Sequence, residues 1–263
     1  MPASRPLLYL DACAATPLAD GLEQRLLAYQ RQAWANPSSL HPAGLAAAEL
    51  LERSRQRLLE LLGCPHGQVV FTSGGTEADN LALLGICRSQ SPGRLLISAF
   101  EHAAIRRCAE QLGCEGWQVE VLPLDSHGRI DLEALETLLL PPTRLVSVAL
   151  ASSELGVLQP MQDIARLCQQ AGVPLHSDAV QVVGQLPATE LLPLPVDALS
   201  ISAHKFQGPR GVGALVMPKP QGLQPQLLGG GQESGLRSGT ESPWLVAAMV
   251  DALELRFNQQ PQL

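Results

Sequence analysis

The chain has 263 residues, of which 46% are apolar and 16% charged; this suffices for one large or two small domains with a buried core and excludes disorder throughout. A net charge of −7, a pI near 5.4 and the lack of any dense Lys/Arg cluster argue against a nucleic-acid binder, and 3% aromatic residues leave little for stacking bases. No uninterrupted apolar stretch approaches a membrane span, and Leu7 to Leu10 is cut short by Asp11 before it could serve as a signal-peptide core, so a cytoplasmic location is expected.

After a lead containing "LLYLDACAATP", residues 19–62 read as helical, with a break at "ANPSSLHPAG" where two prolines and a glycine interrupt the pattern. Strands and helices then alternate. "QVVFTS" is followed by the helix "TEADNLALLGICRS", "RLLISA" by "EHAAIRRCAEQLG", "QVEVLPL" by "DLEALETLLL", and "RLVSVAL" by "PMQDIARLCQQAG". "VPLHSDA" leads to a turn, "DALSISA" leads to Lys205, "MPKPQGLQPQ" reads as a surface loop, and a last helix runs from Pro243 to about Phe257. Short apolar strands alternating with amphipathic helices predict an α/β fold, a mostly parallel sheet flanked by helices on both faces. The six cysteines (Cys13, Cys64, Cys87, Cys108, Cys114, Cys168) form no CxxC pair and are expected as reduced, mostly buried small hydrophobes without a zinc site.

In such sheets ligands sit at the carboxyl ends of strands, which directs attention to the residues just after each strand. "FTSGGTEADNLAL" ends a strand at Thr72, turns on Gly74 and Gly75, and offers Thr76 as a helix cap with Asp79 completing a T-x-x-D capping box. A glycine turn feeding a helix N-terminus is a phosphate cradle, or simply a capped helix; neither a P-loop nor a GxGxxG fingerprint is present. Asp178 follows the strand in "VPLHSDAVQ", where a carboxylate either caps a turn or serves a ligand. Lys205 stands at the exit of the strand spanning residues 197–203, either reaching for solvent or held for chemistry. Pyridoxal phosphate requires a lysine for its Schiff base, an acid for its pyridinium nitrogen and an anion site for its phosphate, and all three occur here. Such a lysine acts as a base near neutral pH only if its pKa falls well below about 10.4.

"YLDACAATP", "NPSSLHPAG", "FTSGGTEADNLAL", "EHAAI", "SSELGVLQP", "HSDAVQVVGQLP", "SAHKFQGPRGVGAL" and "GGGQESGLRSGT" stand in the order and approximate spacing of the cysteine desulfurases. From about Leu8 to Thr240 the chain resembles that family, a class V group of the aminotransferase-like, fold-type I enzymes. The resemblance implies pyridoxal 5'-phosphate as cofactor, a large cofactor-binding domain over 18–263, a homodimer, and conversion of L-cysteine to L-alanine. The sulfur would pass as a persulfide to an acceptor protein for iron–sulfur cluster assembly or other sulfur-transfer pathways. Lys205 would bind the cofactor and shuttle the Cα proton, Asp178 would pair with the pyridine nitrogen, and His102 would stack on the ring. Gln181 would bond the ring's phenolic oxygen. Gly75, Thr76, Ser202 and His204 would hold the phosphate, joined by Thr240 from a partner subunit.

Ser153 replaces the asparagine that usually precedes the family's glutamate in this stretch, a shorter side chain with one hydroxyl in place of an amide. The family also carries a nucleophilic cysteine on a mobile loop and a carboxylate-gripping arginine, both in a C-terminal small domain. The sequence stops short of where these would fall, and residues 1–17 form the lead that packs on that domain. None of the six cysteines lies in a matching motif, and Cys13 falls where the family often has serine. Two other readings share these residues: another class V enzyme, such as a selenocysteine lyase or C–S lyase, and a catalytically silent cofactor-binding scaffold.

Overall fold

The structure, a computed structural model, describes residues 8–259. The first seven residues of the expected lead and the end of the terminal "NQQPQL" lie outside the described residues.

Two helices, α1 (Leu22–Gln32) and α2 (Pro42–Leu61), occupy the N-terminal segment, separated where the sequence break was expected. Proline at the first position of α2 loses no bond there, and His41 caps it by accepting from the Gly44 amide at 3.2 Å. Ala47, Leu50, Leu51, Ser54 and Leu58 place a buried stripe at helical spacing along α2.

The core alternates β1 (Gln68–Thr72), α3 (Gly75–Arg88), β2 (Arg94–Ser98), α4 (Ala103–Cys114), β3 (Gln118–Leu122), α5 (Leu132–Leu138), β4 (Thr143–Ser147), α6 (Met161–Ala171) and β5 (Leu175–Asp178). It continues through α7 (Ala188–Leu191), β6 (Ala198–Ser202), β7 (Gly213–Met217) and α8 (Pro243–Gln259). The strands form one seven-stranded sheet in the order β1-β7-β6-β5-β4-β2-β3. Strands β6, β5, β4, β2 and β3 pair in parallel, while β7 runs antiparallel between β6 and β1. The fold is therefore α/β with a mostly parallel sheet.

Leucines and isoleucines of α3 and α4 bury one face of the sheet, and those of α2, α5, α6 and α8 bury the other. Period-two alternation decides which side chains meet which layer. On β5 and β6, Leu175, Leu199 and Ile201 enter the layer shared with α2 and α8, so His176, Asp178, Ser200 and Ser202 turn toward α3.

Three details correct the sequence reading. Strand β7 is absent from the expected elements, yet every one of its residues is buried. The T-x-x-D capping box does not form, because α3 begins at Gly75 and places Asp79 in the interior with 1% exposure. Glu77 instead takes the reciprocal position, accepting from the Ser73 amide at 2.7 Å. Only Cys87, Cys108 and Cys168 are buried; Cys64 is half-buried, and Cys13 and Cys114 are exposed.

Candidate active site

The carboxyl ends of β1, β2, β4, β5 and β6 open onto one cleft of about 970 Å³. Gly75, Thr76, His102, Ser153, Asp178, Gln181, Ser202, His204 and Lys205 all line it. Residues distant in sequence meet there because successive parallel strands deliver their exits to the same edge.

Lys205 ends a short 3-10 turn, Ala203–Lys205, directly after β6. Its Nζ donates to the Cys13 carbonyl, and Gln181 Nε2 donates to the same oxygen at 3.1 Å. The lead is fastened beside the lysine: the Thr16 amide and hydroxyl both donate to the His204 carbonyl, at 2.9 and 2.8 Å, and the Gln207 amide donates to the Thr16 hydroxyl at 2.8 Å. Burial pushes the Lys205 ammonium below its ordinary pKa, while Cys13, Asp178 and Asp11 pull it partly back. That direction is the one a lysine needs to serve as a base.

Asp178, 8% exposed, closes β5 and accepts from the Val180 amide at 2.9 Å. Burial raises its pKa; the Val180 amide and the charges of His102 and Lys205 oppose the rise. His102 performs two tasks, since its Nδ1 caps α4 by accepting from the Ala104 amide at 3.1 Å while the residue lines the cleft. Capping the helix and facing the cleft are compatible tasks for this histidine.

At the other side of the cleft the turn Ser73–Thr76 enters α3. Ala78 is the first amide with an acceptor one helical turn back, Gly74 O at 3.1 Å, so the amides of Gly75, Thr76 and Glu77 open the helix without such acceptors. A Cβ on Gly75 would stand 2.7 Å from Val180 Cγ2 and 3.4 Å from Ser202 Cβ. Glycine is what lets the turn, β5's exit and β6's exit close into a cradle. Ser202 Oγ and His204 Nδ1, 2.9 Å apart, complete its polar wall.

Thr240 is not brought into this cleft. It lines a separate cavity of about 70 Å³ with Glu233 and Arg237. Arg237 is not a solvated loop residue, as its guanidinium pairs with Glu77 on α3 at 2.7 Å.

Several lining residues escaped the sequence reading: Cys13, Asp79, Glu101, Arg106 and Arg210. Glu101 precedes His102, is 2% exposed, and accepts from Ser98 Oγ at 2.6 Å and the Ala149 amide at 2.7 Å. Burial pushes its carboxyl up to about 8. A charged residue three positions past the exit of a largely buried strand was the available signal.

A lysine amine lowered by burial, a buried carboxylate and a helix N-terminus converge on a cleft at the upper end of the roughly 300–1,000 Å³ range of small-molecule sites. The residues present fit pyridoxal phosphate: the cradle accepts a phosphate, and Asp178 offers a buried carboxylate to a cationic ring nitrogen.

A sequence profile described as aminotransferase class-V matches residues 8–258. The chain is 35% identical over 250 residues to the cysteine desulfurase IscS of Dictyoglomus turgidum, covering 94% of this chain and 63% of that protein. It is 39% identical over 249 residues to the cysteine desulfurase NifS of Azotobacter vinelandii, covering 94% and 62%. Among solved structures it resembles a NifS-like protein (TM-score 0.90, 34% identity, covering 96% of this chain and 70% of that one). It also resembles SspA in complex with cysteine (TM-score 0.87, 32% identity, covering 94% and 72%). The chain thus spans less than two thirds of the length of these curated relatives.

Proposed function

The chain belongs to the aminotransferase class-V family, and from that premise we propose that it is a pyridoxal-phosphate-dependent, cysteine desulfurase-like protein. The proposed reaction converts L-cysteine to L-alanine and passes the sulfur to a thiolate as a persulfide, for iron–sulfur cluster assembly or another sulfur-transfer pathway. The observation that carries the reading is the meeting of Lys205, Asp178 and the α3 N-terminus in one cleft. Cysteine desulfurases among the relatives, and a similar structure described as a complex with cysteine, support the choice of substrate.

When bound, pyridoxal phosphate supplies an electron sink for the pair left at an amino acid's Cα. Lys205 Nζ would hold the cofactor and, as a neutral amine, would take the proton from the substrate's Cα. Burial serves this step by holding the amine neutral at lower pH. Asp178 would stabilise a positive charge at the ring nitrogen, and His102, the N-cap of α4 in the cleft lining, would stack on the ring. The amides of Gly75 and Thr76, with Ser202 and His204, would bind the phosphate; Gln181 and Ser153 would contact polar atoms of ring or substrate. Thr240, which does not line its own chain's cleft, is assigned to a second copy's phosphate in a homodimer. The test is turnover: L-cysteine, pyridoxal phosphate and a thiol reductant, with alanine and sulfide measured. Equal molar release of both supports the reading. No alanine from folded, cofactor-loaded protein refutes desulfurase activity of this chain, and selenocysteine turnover far above cysteine turnover would reassign the substrate.

A further inference from the structure

Three carboxyl groups stand buried in the lining of the cleft: Asp178 at 8% exposure, Asp79 at 1% and Glu101 at 2%. Their surroundings differ. Asp178 accepts from the Val180 amide and feels the charges of Lys205 and His102. Glu101 Oε1 takes two hydrogen bonds. Asp79 Oδ1 is buried without a hydrogen-bond partner, and its nearest basic group is His176 Nε2 at 3.8 Å.

That histidine supplies no charge. It is fully buried on β5 between two hydroxyls, with Nδ1 2.9 Å from Ser147 Oγ and Nε2 3.0 Å from Ser200 Oγ. Burial pushes its pKa down to about 3, so it is neutral at physiological pH. The row Ser147–His176–Ser200 crosses β4, β5 and β6 beneath α3, and Asp178 lies one pleat further along β5 on the same face.

The titratable groups brought against Asp79 are His176 and Asp178 from β5, Glu101 from the β2–α4 connection and Cys108 from α4. On α3 itself stand Glu77, Cys87 and, at its last residue, Arg88, which pairs with Glu115; neither β1 nor β7 contains a titratable residue. From β4 and β6 come the Ser147 and Ser200 hydroxyls, with Arg144 of β4 exposed. Among the described residues no arginine or lysine forms an ion pair with Asp79. A carboxylate so placed would face a second carboxylate with no cation of its own, a cost that a bound proton removes.

We propose that Asp79 is held as a neutral carboxylic acid beneath Asp178, as a positioning residue that leaves Asp178 the anion of the pair. Burial and the neighbouring carboxylate both raise the Asp79 pKa well above its ordinary value, with the Ser200 hydroxyl opposing. The assignment rests on the proposed cofactor only for its consequence: Asp178 then faces the ring nitrogen as a full charge.

The test uses apo-protein. An acid that keeps its proton when folded and loses it when unfolded weakens folding as pH rises above its unfolded value, tenfold in the equilibrium constant per pH unit for one proton. Asp79→Asn mimics the neutral acid and lacks this slope. Denaturant unfolding should therefore show the ratio of folding constants, Asp79→Asn over unmodified protein, rising about a hundredfold from pH 5 to pH 7. A ratio constant across that range overturns the proposal. Should Asp79→Asn fail to fold, carboxyl ¹³C spectra of aspartate-labelled protein decide. One acid-form aspartate at pH 7 that persists in Asp178→Asn supports the assignment, and complete ionisation by pH 5 refutes it. Neither readout involves pyridoxal phosphate, so a flat ratio in a protein that binds the cofactor sinks this assignment alone.

Discussion

Replacing Glu233 with alanine removes the anchor of the "GGGQESGLRSGT" segment. The Glu233 side chain is 1% exposed and accepts three hydrogen bonds: Arg55 Nη1 at 2.9 Å, Arg55 Nη2 at 2.8 Å and the Phe71 amide at 2.9 Å. Its backbone sits at φ 49 and that of Ser234 at φ 58, a left-handed pair of non-glycine residues that the surrounding contacts must hold in place. Arg55 lies 4.8 Å above the Phe71 ring, so the ion pair fastens α2, β1 and the segment together. Removing one partner of a buried pair costs about 3–5 kcal/mol. Arg55 keeps the Val69 carbonyl at 2.7 Å and the Glu52 carboxylate at 3.2 Å, and its side chain is 18% exposed, which places the loss near 3 kcal/mol. Against a total of about 5–15 kcal/mol this is large. In urea, with a slope of about 3 kcal/mol/M, the midpoint falls by about 1 M. Glu52→Ala is the control: that side chain is 72% exposed, and its pair is worth under about 1 kcal/mol. Equal losses for the two variants would refute the reasoning, because burial would then contribute nothing.

Two further outcomes follow from the cleft. At Gly184, φ is +77 and a Cβ would stand 2.4 Å from Phe206 Cβ, so Gly184→Ala should lose about 3 kcal/mol, roughly 6–12 °C in melting temperature, and disturb the fully buried residue beside Lys205. A melting temperature within a degree or two of the parent would show that Phe206 yields freely. In alkylation followed by mass spectrometry, the exposed Cys13 and Cys114 should react fast and the buried Cys87, Cys108 and Cys168, whose thiols burial pushes up to about 12, should react slowly. Saturating pyridoxal phosphate should protect Cys13 and not Cys114; equal protection of both would remove Cys13 from the cofactor's cleft.

The alternation of apolar strands with amphipathic helices was legible because parallel strands buried on both faces read as continuous apolar runs. Strand β7 was not, since "GVGAL" begins in glycines that also make a turn, and its antiparallel pairing with β6 and β1 is a tertiary fact. The cleft residues Lys205 and Asp178 could be read from their place after strands, whereas His102 came only with the family resemblance. Asp79 was misread because a T-x-x-D spacing also describes a capping box, and only the start of α3 at Gly75 turns it inward. His176 stood in plain sight beside Asp178, yet a polar residue in a buried strand gains meaning only from the serines of neighbouring strands. Thr240 was named from its motif as a partner subunit's contribution, and it stands outside its own chain's cleft.

The central claim is that Lys205 holds pyridoxal phosphate covalently in this cleft. The direct measurement is borohydride reduction of the protein with pyridoxal phosphate, followed by peptide mass spectrometry and near-visible absorbance, beside Lys205→Ala. The account predicts one stable cofactor adduct on the peptide containing Lys205 and a near-visible band lost on reduction, both missing in the variant. Adducts scattered over other lysines, or the same band in folded Lys205→Ala protein, would contradict it.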